Sequence, residues 1–260
     1  MKNTPKQLIR IGGLKRIWQG LAACLLACTT LASADDVLRV GITPNQPPMA
    51  FKQNGKIVGV EADFAKALGA QLGREVKFVE VDWEDQIPEL LANHTDIIMS
   101  SMSITTLRQL RVNFCAPYLQ IGQMTLVRAE DANKYLLGFP DPPQGVIGVI
   151  KATTGDFVVQ QDLTHSKRKE YTSGEEAAHA LIKKRIDLFI SDSPTIWWLA
   201  AENEANNLVA VPQLLTNEQL AWAVNKSNPG LRDAANAALD KWQKDGTAQR
   251  ILKQWVPAYK

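Results

Sequence analysis

The residues of this chain that could do chemistry gather at three places where a buried strand gives way to a helix. The first is Asp96-Ile97-Ile98-Met99-Ser100-Ser101-Met102-Ser103-Ile104-Thr105-Thr106-Leu107-Arg108. It reads as an apolar strand, a serine-rich turn and then an arginine. Hydroxyls, backbone N–H groups and one guanidinium suit a carboxylate, because the planar fork of arginine matches two carboxylate oxygens. Charge-assisted bonds of this kind are worth ~1.5–3 kcal/mol each. The same residues also fit a plainer arrangement, with the serines capping the next helix and Arg108 a solvated surface charge. The second place, Lys151-Ala152-Thr153-Thr154-Gly155-Asp156, offers hydroxyls and helix N-terminal N–H groups, an anion site. The third, Ser191-Asp192-Ser193-Pro194, puts a carboxylate just ahead of a helix. Asp192 there is either a charge partner or an N-cap.

Other chemistries find no pattern. His94, His165 and His179 lie far apart and lack metal-ligand spacing. Cys115, beside Phe114 and Ala116-Pro117, reads as a small core residue. There is no phosphate-binding glycine loop and no G-x-S-x-G. No catalytic residue, metal or cofactor is therefore expected.

The elements that must position these residues alternate. Strands are expected at 37–42, 76–81 and 96–99, with helices at 61–72 and 85–92 between them. Asn54-Gly55 marks a hairpin turn. A strand at 124–128 and a loop rich in Pro and Gly (Gly138, Pro140, Pro142, Pro143, Gly145) lead to a restart. Strands are then expected at 146–150, 169–171 and 187–190, with helices from 156, over 174–184 and over 193–203. A strand at 220–224 and helices at 228–245 and 246–255 close the chain. Two β-α-β-α-β runs predict two α/β lobes with parallel strands. The chain crosses between them near 122–128 and again near 217–222. Two crossings make a hinge, and open α/β sheets bind ligands at their strand ends, in the cleft.

The net charge of +2, from 29 basic and 27 acidic side chains, has two parts. Residues 1–34 carry Lys2, Lys6, Arg10, Lys15 and Arg16 and no acid, then an apolar run and Ala32-Ser33-Ala34. A basic segment, a short apolar segment and a small-x-small end make a secretory signal peptide. Cleavage after Ala34 leaves 24 basic against 27 acidic residues, a net −3. The basic excess is then no argument for nucleic acid. No apolar run reaches the roughly 20 residues of a membrane-spanning helix. Cys24 and Cys28 fall inside the apolar segment, where Leu21-Ala22-Ala23-Cys24 and Leu25-Leu26-Ala27-Cys28 offer lipidation as the alternative to plain cleavage. Only Cys115 remains beyond it, so the exported chain has no internal disulfide and must rest on its core.

Several motifs in order give the chain a family resemblance: Leu38-Arg39-Val40-Gly41 with the proline loop after it; Gly59-Val60-Glu61-Ala62-Asp63-Phe64-Ala65; Ile87-Pro88-Glu89-Leu90; Asp96 through Arg108; Phe114-Cys115-Ala116-Pro117-Tyr118; Thr153-Thr154-Gly155; and Asp187-Leu188-Phe189-Ile190-Ser191-Asp192-Ser193-Pro194. Over about 36–257 it resembles the family 3 periplasmic solute-binding proteins, the polar amino acid receptors of ABC transporters. The resemblance implies an α/β, two-lobed, type II periplasmic-binding-protein-like fold with a two-strand hinge. Lobe 1 would comprise 35–123 plus 219–260, and lobe 2 residues 124–218. It implies an exported, periplasmic, monomeric receptor that closes on a small zwitterion and presents it to a membrane permease. Arg108 would clamp the α-carboxylate, aided by Ser101, Ser103, Thr153 and Thr154, and Asp192 would take the α-ammonium from the opposite lobe. Two charges each paired on closure leave neither buried alone.

The side-chain pocket departs from the receptors for basic amino acids. Thr43 and Gln46 stand where those carry an acid and an aromatic platform, which disfavours a cationic side chain. Trp83, with Phe51 and Met102, would line an apolar surface, although Phe51 and Met102 also fit core packing. An enzyme alternative on the same fold is a cyclohexadienyl (arogenate) dehydratase, which needs a general acid. Asp156 sits near the glutamate of such enzymes, but it opens a helix, and capping accounts for it. A sensory or enzyme-tethered fusion is not expected, because little chain follows Trp255.

Overall fold

The computed structural model describes Met1 and residues 36–136, 138–139 and 145–256. The expected signal peptide with Cys24 and Cys28, and the prolines 140, 142 and 143 of the expected loop, lie outside the described residues.

Two five-stranded sheets organise the chain. In the first, Val37–Ile42 lies between Glu75–Glu80 and Ile97–Ile98, parallel to both, and the returning Ala223–Val224 and then Asn113–Phe114 add antiparallel strands. In the second, Val146–Ile150 lies between Lys167–Tyr171 and Leu188–Asp192, again parallel, with Gln123–Arg128 and Leu208–Val211 antiparallel beyond. Each sheet carries helices, so the strands with apolar runs are covered on both faces. All five residues of Leu188–Asp192 are buried.

The first core is built on aromatic rings. Phe64, from the helix Val60–Leu72, packs against Tyr118, Trp222 and Trp242 with ring centroids 5.4–6.1 Å apart. Trp242 comes from the helix Pro229–Asp245, which starts where the Asn228 side chain accepts the Leu231 N–H and stops at Gly246, φ 80°. The helix Val60–Leu72 begins against the proline loop. At Gly59, φ 115°, a β-carbon would lie 2.5 Å from the Met49 carbonyl oxygen, so only glycine allows this approach. The second sheet buries Leu126, Phe189 and Ile196 on one side and Val127, Val149 and Leu188 on the other.

The two sheets are joined by a ribbon of two antiparallel strands, Leu119–Ile121 and Glu218–Leu220. The chain is therefore a two-lobed α/β protein with a two-strand hinge. The first crossing lies a few residues earlier than the sequence pattern predicts, because the apolar run 124–128 already belongs to the second sheet. The expected strand over 220–224 is two strands. Its first part stays in the hinge ribbon and Ala223–Val224 enters the first sheet, with the fully buried Trp222 turned into the core at the break.

Candidate ligand-binding site

The serine turn is held from below. Ser101 takes φ 55°, a left-handed conformation that a residue with a β-carbon rarely adopts. Its N–H donates to Glu61 Oε1 at 2.5 Å, and the Tyr118 hydroxyl (2.6 Å) and Trp222 Nε1 (3.1 Å) donate to the same carboxylate. Glu61 is fully buried, and burial raises its pKa, with these three donors opposing the rise. Under the turn, Thr43 N–H donates to Ser100 Oγ (2.9 Å), and Thr43 Oγ1 donates to the Val81 carbonyl and lies 2.8 Å from the Gln86 amide.

Arg108 follows on the one-turn helix Thr106–Gln109, whose N-cap Thr105 accepts the Arg108 N–H. It is 8% exposed, so the solvated-charge reading is excluded. Nη1 donates to the Ser103 carbonyl at 2.8 Å, Nη2 reaches the Ala152 carbonyl at 3.3 Å, and the guanidinium carbon stands 5.1 Å from the Trp83 ring centroid. Burial lowers its pKa, while Asp192 and Glu218 hold it up. Arginine nevertheless stays charged.

The second lobe meets this face. Ala152, also left-handed at φ 60°, donates its N–H to Asp156 Oδ2 (2.9 Å), and Asp156 Oδ1 is held by Arg168 at 2.7 Å. That clamp leaves the Ala152 carbonyl to accept from Arg108 and from Trp83 Nε1 (3.0 Å). Thr153 caps the helix Thr154–Asp162. Asp192 stands at the N-cap position of the helix Ser193–Glu202 but makes no capping bond. Its Oδ1 accepts instead from Gln123 Nε2 at 2.7 Å. It is 8% exposed, and burial, with the Glu218 charge adding to it, pushes its pKa up to about 7 against the Gln123 bond and Arg108.

Between these faces lies a nearly filled cavity of about 10 Å³, lined by Gln46, Trp83, Ser101, Ser103, Arg108, Thr153, Thr154, Ser191 and Asp192. Eight of the ten residues singled out from the sequence line it; the two that do not are corrections. Thr43 braces the turn beneath. Phe51 faces outward from its hairpin strand Ala50–Gln53 and packs on Trp198 and Trp255, ring centroids 5.5 and 5.7 Å away. It lines a wider, open groove with Pro47 and Trp198. Met102 is a core residue among Ile87, Leu90 and Val112.

The hydroxyls are not equivalent. Ser103 Oγ donates to Glu218 Oε2 at 2.5 Å, and Thr153 Oγ1 donates to the Ile150 carbonyl at 2.6 Å, so both protons are engaged. Thr154 Oγ1 accepts from Gln123, and Ser101 Oγ is buried with no partner among the described residues. Ser101 and Thr154 therefore keep a proton to give. Gln123 and Glu218 are functional neighbours that the sequence reading passed over. Gln123 opens the strand Gln123–Arg128, whose first five residues are all buried, and its own amide is fully buried.

Buried opposite charges on two hinged lobes, with unspent hydroxyl donors between them, define a closing receptor for a small polar solute. The chain belongs to the bacterial extracellular solute-binding proteins, family 3, whose model matches residues 38–258. It is 31% identical to ABC transporter arginine-binding protein 1 of Escherichia coli (strain K12), covering 91% of this chain and 98% of that protein. An ancestral arginine-binding protein bound to arginine superposes with a TM-score of 0.79 at 31% identity, over 85% of this chain and 98% of that one. An ancestral amino acid-binding protein described as a precursor of cyclohexadienyl dehydratase gives 0.76 at 32% identity, over 85% and 95%.

Proposed function

We propose that this solute-binding protein captures a free amino acid by lobe closure and hands it to an ABC-transporter permease. The observation that carries the reading is Arg108 and Asp192, each 8% exposed, lining one cavity from two lobes. Arg108 pairs the ligand α-carboxylate, with Ser101 and Thr154 hydroxyls and nearby N–H groups as further donors. Asp192 pairs the α-ammonium. Because the partners come from different lobes, only the closed form satisfies both ends, and binding drives closure. Gln46 and Trp83 face the ligand side chain and select among amino acids. Lobe 1 is residues 35–123 with 219–260, and lobe 2 residues 124–218. The chain acts as an exported, periplasmic monomer after loss of residues 1–34.

Binding without turnover is the second half of the reading. Asp156, the acid a dehydratase would use, holds Ala152 and Arg168 and does not line the cavity. A thermal-shift screen of residues 35–260 against the twenty amino acids and L-cystine tests the reading. A ligand at a hundredfold excess over Kd adds ~2.7 kcal/mol of stability. No shift with any of them overturns it, and an aromatic product from arogenate or prephenate replaces it with the enzyme.

A further inference from the structure

Glu218 is a half-buried carboxylate in the hinge strand Glu218–Leu220. Both its oxygens are occupied: Oε2 accepts from Ser103 Oγ and Oε1 from Thr216 Oγ1, each at 2.5 Å. Thr216 Oγ1 in turn accepts the Gln123 N–H at 2.8 Å, and the Gln123 side chain donates to Asp192 and to Thr154. On the other side, Ser103 offers its carbonyl to Arg108. A continuous run of hydrogen bonds thus joins Arg108 to Asp192 through the hinge: Arg108, Ser103, Glu218, Thr216, Gln123, Asp192. Every link lies in a segment that must hold or re-form when the lobes move.

The charges deepen the point. The charges of two carboxylates, Asp192 and Glu218, both act on the Arg108 guanidinium, so fully ionised acids would outnumber the one cation. Tyr118, hydrogen-bonded to the buried Glu61, also feels the Asp192 charge. Like charges in a shared, desolvated space disfavour each other's ionisation. Burial, with the Glu218 charge adding to it, favours the protonated Asp192 carboxyl, whose proton an arriving ammonium can displace.

We propose that Glu218 is a charged positioning residue of the binding site, which fixes Ser103 and the Arg108 clamp from the hinge and makes ligand capture expel a proton from Asp192. The inference rests on the amino-acid reading above. The ammonium keeps its own protons and pairs with the Asp192 carboxylate; the proton from the Asp192 carboxyl passes to buffer. Binding near neutral pH is then linked to proton release, and the hinge carboxylate adds to burial in setting the pH at which that linkage operates.

The first test needs no ligand. Carboxyl-carbon NMR follows the titration of Asp192 in the free protein, in wild type, Glu218→Gln and Ser103→Ala. The midpoint near neutrality in wild type is expected to fall in Glu218→Gln but to stay above the ordinary carboxylate range, because the burial of Asp192 remains. It should stay high in Ser103→Ala, which loses the hydrogen bond and keeps the charge. An unchanged midpoint in Glu218→Gln overturns the proposal, as does an equal fall in both variants. Ser103→Ala also keeps the test decisive if Glu218→Gln fails to fold, because a fall there alone removes the charge argument. The second test is calorimetry with L-arginine, L-glutamine and L-cystine in phosphate and Tris at pH 7. Whichever binds should release about half a proton, and less in Glu218→Gln. Binding with no proton release in wild type overturns the linkage while leaving the amino-acid reading intact. Binding that survives Arg108→Ala removes the amino-acid reading instead.

Discussion

The fully buried Glu61 carboxylate accepts the backbone N–H of Ser101 at 2.5 Å, and that bond holds the serine turn in its left-handed conformation beneath the cavity. Tyr118 and Trp222 donate to the same group, so one side chain ties the helix Val60–Leu72, the serine turn and the aromatic core together. Glu61→Ala leaves three buried donors without an acceptor. Each orphaned group costs ~1–3 kcal/mol. Urea unfolding is expected to show a loss of several kcal/mol, with Glu61→Gln milder because one amide oxygen still accepts. An Ala variant as stable as wild type would remove the brace argument.

Arg108→Ala is expected to abolish amino-acid binding in calorimetry while the thermal unfolding transition persists. Arg108→Lys tests the geometry. The guanidinium already spends donors on the Ser103 and Ala152 carbonyls, and a single ammonium cannot serve these and a ligand carboxylate together. A loss of ~100-fold or more is expected, about the 3 kcal/mol of one charge-assisted bond. Affinity within threefold of wild type in the Lys variant would mean the fork is not used.

Opposite pH trends are expected for stability and for binding. The Asp192 pKa of about 7 in the folded chain lies above the ~3.9 of an unfolded one. The stability this group contributes is complete below the unfolded value and is lost as pH rises through 7, by up to ~1.4 kcal/mol per pH unit. Glu61, also raised by burial, acts in the same direction. Asp131 and Asp245 are lowered, so their contributions change only at more acidic pH. Ligand-free protein should therefore unfold at lower temperature at pH 8 than at pH 5. Affinity for the amino acid should rise over the same interval, because only ionised Asp192 pairs an ammonium. Parallel trends would contradict the assignment of Asp192.

The parts of the site legible in the sequence are those where polar residues interrupt an apolar run at a strand end. Ser101, Ser103 and Arg108 follow the short buried strand Ile97–Ile98, and Asp192 ends the fully buried Leu188–Asp192, so spacing alone gave their neighbourhood. What spacing could not resolve was which of two plain roles each took. Asp192 holds an N-cap position without capping, and only tertiary contact with Gln123 decides this. Phe51 misled because a period-two strand does not say which face meets the cleft. The strands Asn113–Phe114 and Leu119–Ile121 are two and three residues long, too short for a periodic signal, and they exist because the returning chain pairs with them. Glu218 was hidden for a related reason, since its partners lie 115 residues away at Ser103 and two away at Thr216.

The outward placement of Phe51 supplies a last expectation. Phe51 belongs to the hairpin beside the first sheet, and Trp198 to a helix on the second, so their tilted contact at 5.5 Å bridges the lobes. Opening the cleft separates these rings, and an aromatic pair is worth ~0.5–1.5 kcal/mol beyond its buried area. That energy stabilises only the closed form, so it adds to ligand affinity without touching the ligand. Trp198→Ala should weaken binding by roughly 2- to 13-fold, with little change in ligand-free unfolding. Phe51→Ala should cost stability as well, because Phe51 also packs edge-on against Trp255. In calorimetry the double variant should lose no more affinity than the greater single loss, since either change removes the same bridge. Additive losses would mean that the two rings act on closure independently, and an unchanged affinity in Trp198→Ala would mean that their contact is not a closing force.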